Sequence, residues 1–216
     1  MNRFRVFAIV ALLLVVRTAS GDDASIRIDN SRSPNGKLEL WIMPIKDTGE
    51  AAGTAQVRSV GNGRILGAFD WSGFGEEADS KAFKVIWRGD NHFFAISYEL
   101  SRGYMSGAIY GSITRGHWIE VKLPTDDYVK RIKKMSGVEE LKSGKGWETP
   151  KSWLPNGDLE LEFGSEDIMF NDVDAMKDFV VTLKVADEKG QPLKIAKVMS
   201  IREKTEEQVE EDLYSE

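Results

Sequence analysis

Short stretches in which apolar and polar residues alternate, each closed by Gly, Pro, Asn or Asp, run through most of this chain. A period of two puts the apolar side chains on one face, the pattern of half-buried strands. It predicts strands over 25–30, 37–43, 55–60, 64–68, 83–87, 92–100, 107–114, 118–123, 158–163, 179–186 and 195–202. Gly61-Asn62-Gly63 and Glu188-Lys189-Gly190-Gln191 supply hairpin turns, because Gly and Asn tolerate the positive φ that tight turns need. One segment has a helical period: Tyr128, Val129, Ile132 and Met135 recur after Thr125-Asp126-Asp127, which offers an N-cap and an acidic first turn, and Gly137 ends it. Residues 138–147, with Gly144, Gly146, Lys142 and Lys145, read as an exposed connection. The expected fold is mainly β: an antiparallel meander of blade-like hairpins in one compact domain, either a sandwich or a partial propeller. One short helical insertion near 126–136 interrupts it.

A turn-plus-strand unit occurs three times. The copies are Ser33-Pro34-Asn35-Gly36-Lys37-Leu38-Glu39-Leu40-Trp41, Trp87-Arg88-Gly89-Asp90-Asn91-His92-Phe93-Phe94-Ala95-Ile96 and Trp153-Leu154-Pro155-Asn156-Gly157-Asp158-Leu159-Glu160-Leu161. These units resemble the bacterial propeller-type repeat, Trp-Ser-Pro-Asp-Gly followed by a short strand, of periplasmic translocation-associated propeller proteins. The middle copy keeps Trp87 and Asp90 but has Arg88-Gly89 for Ser-Pro. The last keeps Trp153, Pro155 and Gly157 with Asn156 at the Asp position. The first keeps Ser33, Pro34 and Gly36, has Asn35 at the Asp position and lacks the Trp. The resemblance implies blade-like hairpins and carries no catalytic role. Asn35 and Asp90 are 55 residues apart and Asp90 and Asn156 are 66 apart, against about 40–50 for ordinary blades. Three units are also fewer than the roughly 4–8 that close a propeller. Ordinary turn chemistry before a strand selects the same residues and stands beside the repeat as an alternative.

The first 21 residues have the form of a secretory signal: Arg3 and Arg5, an apolar run from Val6 to Val16, then Ala19-Ser20-Gly21. The run is shorter than the roughly 20 residues that span a bilayer. We therefore expect cleavage near Gly21 and a periplasmic or extracellular mature chain, with a β domain over 22–202 and an acidic tail over 203–216. The chain has no Cys, which rules out disulfides, thiolate metal sites and a lipobox anchor. No Asn-x-Ser/Thr acceptor occurs, which fits bacterial export. The net charge of −6 becomes −9 once the leader's three arginines are removed. That acidity disfavours nucleic acid, whose phosphates it repels.

Candidate chemistry is sparse. His92 and His117 are the only histidines, too few for a three-His metal site. No Gly-x-Ser-x-Gly elbow or P-loop occurs, and the Gly61–Gly67 stretch opens into a strand where a dinucleotide loop would open into a helix. Glu166, Asp167, Asn171, Asp172 and Asp174 crowd one long loop, with Asp167, Asp172 and Asp174 as weak calcium candidates whose spacing is not that of an EF-hand. No cofactor is indicated.

Phe69-Asp70-Trp71-Ser72-Gly73-Phe74-Gly75 sets three rings beside a carboxylate in a segment expected to be irregular. Phe69, Asp70, Trp71 and Phe74 are therefore candidates for sugar or peptide recognition, the alternative being that the rings plug one end of the core. Ser101-Arg102-Gly103-Tyr104-Met105-Ser106-Gly107 resembles the Ser/Gly loop that periplasmic lysozyme inhibitors insert into their target, which makes Arg102 and Tyr104 candidate contacts. The expected function is a non-catalytic binding or scaffold protein of the bacterial envelope, with an envelope protein or cell-wall component as partner. A carboxylate-dependent cell-wall hydrolase using Asp70 and Glu76 and a lysozyme inhibitor are the alternatives.

Overall fold

The computed structural model describes residues 25–44, 52–72, 81, 83–99, 105–114, 117–137, 146–165, 178–205 and 207–208. Along them run β1 (Ile26–Arg27), β2 (Leu38–Pro44), β3 (Ala52–Ser59), β4 (Ile65–Ser72), β5 (Phe83–Trp87), β6 (Phe93–Glu99), β7 (Met105–Thr114) and β8 (His117–Glu120). The helix α1 (Thr125–Ser136) follows, then β9 (Gly146–Trp153), β10 (Leu159–Ser165), β11 (Phe179–Ala186) and β12 (Pro192–Glu203). The strands form three four-stranded antiparallel sheets, each made of consecutive neighbours: β1 to β4, β5 to β8, and β9 to β12. Most connections between neighbouring strands are short, which returns the chain beside the strand it has just left. The fold is thus mainly β with one short helix, as expected, and the sheets do not close into a barrel.

The middle sheet is sandwiched between the other two. Along β6, Phe94, Ile96 and Tyr98 join a core with Leu40, Ile42 and Val57 of the first sheet. Phe93 and Ala95 point the other way, into a core with Leu159, Leu161, Val181 and Leu183 of the third. Two buried faces explain why β6 opens with the unbroken apolar run Phe93-Phe94-Ala95-Ile96, while β2 and β10 alternate. On the outward faces of the first and third sheets the alternate positions carry Glu39, Gln56 and Arg58, or Glu160 and Glu162, paired within their own sheet. Arg58 donates to Gln56 and lies 4.5 Å over the Trp41 ring. Fully burying a ring such as Phe93 or Phe94 contributes about 1.5–3 kcal/mol.

Three expectations are corrected. The segment 138–147 does not stay irregular to its end, because β9 begins at Gly146. Pro150 hid this strand by breaking its alternation; it is accommodated on an edge strand, opposite Leu161 where the register shifts. The irregular segment expected from Phe69 is also a strand up to Ser72, paired through Phe69↔Ala55, Asp70↔Thr54 and Trp71↔Gly53. Finally, Thr125 does not cap the helix. Pro124 occupies the N-cap without a side-chain hydrogen bond, and Thr125 Oγ1 instead donates to Glu148 at 3.1 Å. Gly137 ends the helix in the left-handed conformation, as its position predicts. Tyr128 and Ile132 fasten the helix to the core shared by the second and third sheets.

Candidate functional site

The three repeated turns occupy the same place in each sheet, between its first and second strands. In each, one side-chain oxygen accepts from the backbone N–H two residues on: Asn35 from Lys37 at 3.0 Å, Asp90 from His92 at 2.9 Å, Asn156 from Asp158 at 3.1 Å. The residue after it donates its N–H back to the turn's first carbonyl: Gly36 to Ser33, Asn91 to Arg88 and Gly157 to Leu154. All three have positive φ, which selects Gly or Asn there.

The tryptophans join neighbouring sheets. Trp87 Nε1 donates to the Ser31 carbonyl at 2.8 Å, and Trp153 Nε1 donates to the Ile86 carbonyl at 3.1 Å. Ser31 and Ile86 hold equivalent places, each just before the residue at the Trp position of its own repeat. The first copy has Arg32 at that place, and no sheet precedes it among the described residues. A side-chain contact ties the turns themselves: Asn91 Oδ1 accepts from the Asn35 N–H at 3.1 Å.

Arg88, which departs from the Ser-Pro pattern, reaches toward the third sheet. Its guanidinium lies 3.8 Å over the Phe93 ring and 5.9 Å from that of Trp153, and it donates to Asp90 at 2.5 and 3.0 Å. Partial burial pushes the Asp90 carboxyl up. Hydrogen bonds from Arg88 and the His92 amide, with the Arg88 charge, outweigh that effect and hold it below its ordinary value.

Two clefts open where these turns emerge. The larger, about 850 Å³, lies between the first and second sheets, bounded by Asn35 to Leu38, Ser59 to Gly61, Leu66, Asp90 to His92, Ser112 to Thr114 and Trp118. The smaller, about 690 Å³, lies between the second and third sheets, bounded by Arg88 to Asp90, Trp153 to Asp158, Lys184, Ala186 to Glu188 and Gly190. Asp90 belongs to both. These dimensions suit side chains or a short ligand. The chemistry on offer is hydrogen bonding, charge and apolar contact.

Of the residues singled out from sequence, Phe69 lines neither cleft. Phe69 stacks on Tyr110 at 3.9 Å and tilts against Phe94 at 5.8 Å, within the layer between the first two sheets. Asp70 and Trp71 are β4 residues. Phe74, Arg102, Tyr104, Glu76, Asp167, Asp172 and Asp174 lie outside the described residues, as does most of the tail. Of the histidines, His92 borders the larger cleft and His117 begins β8. No group of three His, Asp or Glu side chains poised to hold a metal occurs among the described residues. Sequence reasoning overlooked Lys37, Asn91, Ile113, Trp118 and Glu188 as cleft residues. The repeated turn was the available signal, since turns at equivalent places in stacked sheets must emerge together.

These features define a three-sheet antiparallel β protein whose repeated turns line two adjacent clefts. No protein-family model matches the chain, nor does any curated protein or solved structure. No helix among the described residues is long and apolar enough to cross a membrane.

Proposed function

We propose that this chain is an exported, non-catalytic binding module of the bacterial envelope, and that the edge formed by its repeated turns is the recognition surface. The observation that carries this reading is the shared position of Asp90, on the wall between two clefts built from equivalent turns. Turns braced by side-chain-to-backbone bonds and joined by Asn35 and Asn91 hold their shape before a partner arrives, which lowers the ordering cost of binding. The leader-like first 21 residues support export, and the absence of a catalytic motif in the sequence favours binding over turnover.

The test is affinity capture of tagged residues 22–216 from cross-linked native envelope, run beside an Ile113→Glu variant. Ile113 is 39% exposed at the larger cleft, so a charge there should block the edge without disturbing the core. A partner enriched by the parent and lost by the variant supports the reading. An empty eluate, or equal capture by both proteins, overturns it.

A further inference from the structure

Three Asn-Gly pairs occur in the chain: Asn35-Gly36, Asn62-Gly63 and Asn156-Gly157. Such a pair carries its own chemistry. The glycine amide nitrogen, once it has given up its proton, attacks the asparagine Cγ, and glycine has no side chain to obstruct the approach. The new C–N bond closes a five-membered succinimide. The Cγ–Nδ2 bond breaks, and Nδ2 takes up a proton and leaves as ammonia. Water then opens the ring at one carbonyl or the other, which leaves aspartate or isoaspartate.

The fold braces the three pairs unequally. All three asparagines are exposed, and each Oδ1 accepts from the backbone N–H two residues on: Asn35 from Lys37, Asn62 from Arg64 and Asn156 from Asp158. Each glycine N–H donates to a backbone carbonyl. Beyond these shared bonds, two of the pairs are fastened further. Ser33 Oγ donates to Asn35 Oδ1 at 2.8 Å, and the Asn35 N–H donates to Asn91 Oδ1 at 3.1 Å. Asn156 Nδ2, the group that would leave, donates to Asp158 Oδ2 at 2.9 Å. Attack needs the side chain to swing toward the glycine nitrogen, so these extra bonds must open first.

Asn62 lacks them. Among the described residues its side chain makes only the bond to Arg64. It stands between Gly61 and Gly63, and beyond the chain neighbours no atom lies within 4 Å of the Cβ position of either glycine. The backbone there can turn without obstruction. The turn is also one residue longer, since Gly63 donates back four residues to Ser59 while Gly36 and Gly157 donate back three.

We propose that Asn62 is a site of spontaneous, succinimide-mediated deamidation in the folded protein, and that the repeated turns protect Asn35 and Asn156 from the same reaction. The product forms at the rim of the larger cleft, which Gly61 lines together with Lys37 and Leu66. Aspartate at position 62 keeps an acceptor for the Arg64 N–H and adds a negative charge. Isoaspartate routes the main chain through the former side chain and so lengthens the turn between β3 and β4 by one carbon. The reaction proceeds whether or not the cleft binds a partner.

Incubation of the purified full chain at mildly alkaline pH, followed by digestion and mass-spectrometric peptide mapping, tests this. The same incubation in concentrated guanidinium chloride gives the rate of each pair without the fold. Position 62 should react natively within about threefold of its unfolded rate. Positions 35 and 156 should react at least about tenfold more slowly than theirs, the retardation of one or two hydrogen bonds that must open first. Isoelectric focusing should show an acidic form accumulating in the native parent and not in Asn62→Gln, whose longer side chain does not close the five-membered ring. Native reaction at 35 or 156 as fast as at 62, equal protection of all three, or an acidic form undiminished in the variant overturns the assignment.

Discussion

The indole N–H of Trp153 donates to the backbone carbonyl of Ile86, 3.1 Å away and 67 residues earlier in the chain. The same bond, from Trp87 to Ser31, spans 56 residues. Each half-buried indole thus closes the joint between its own sheet and the one before. The hydrogen-bonding group sits at the most recognisable letter of the repeat, so a sequence signature has a definite mechanical use.

Replacing either tryptophan by Phe keeps a ring and removes the donor. We expect Trp87→Phe and Trp153→Phe each to cost about 1–2 kcal/mol, read from the midpoint of urea unfolding. Adding the two losses in the double variant would place the joints in independent contacts. A loss below the error of the fit in both would show that the bonds add nothing.

The turn residues should obey one rule across the copies. Asn35→Asp preserves the acceptor for Lys37 and Ser33 and reproduces the chemistry of Asp90, so its effect should stay within about 0.5 kcal/mol. Asn35→Ala removes the acceptor and should cost about 1 kcal/mol. Thermal unfolding of the pair distinguishes this from a tolerant surface loop, in which both substitutions would be silent.

Tyr128 is fully buried, and its hydroxyl donates to the Glu148 carboxylate. Burial, then the Glu148 charge and that hydrogen bond, push its pKa well above the ordinary value of 10.0. The unfolded chain loses this proton as pH rises past 10.0 while the folded chain keeps it, so stability falls with pH above that point. Below it the contribution is fully present. Tyr128→Phe should weaken this alkaline loss, measured as unfolding midpoint against pH.

On the outer face of the third sheet, Glu162 pairs with Lys204 at 2.9 Å and with Lys151 at 2.6 Å, and Lys204 is nearly buried with Asp178 at 3.7 Å. Removing Lys204 leaves Glu162 with Lys151 as its remaining partner, so Lys204→Met should cost about 1–3 kcal/mol. The double variant with Glu162→Leu should recover much of that loss in chemical denaturation. Failure to recover would show that the lysine acts mainly through packing.

How much of this was legible follows the physics of each signal. Residues 83–87 and 179–186 coincide with β5 and β11, because clear apolar patterns between turns specify a strand on local grounds. β9 was hidden by Pro150, whose fit depends on an edge position that no local pattern reveals. Thr125 had cap chemistry, but Glu148, 23 residues away, took its hydroxyl. Gly111 shows the same limit. Its missing side chain leaves room for Phe93 and Pro192, either of which a Cβ would meet at 2.6 Å, and that requirement arises only once the sheets are stacked.

By itself, the sequence determined that the chain is mainly β, where its turns fall, where the helix lies, and that the same turn is built three times. These depend on φ preferences, side-chain period and hydrogen bonds only two or three residues long. The tertiary structure alone decided that the middle sheet is buried on both faces, that Trp87 and Trp153 close the joints, and that Asp90 stands between two clefts. Those outcomes depend on contacts between groups some 50–70 residues apart, whose free energy exists only when the sheets meet.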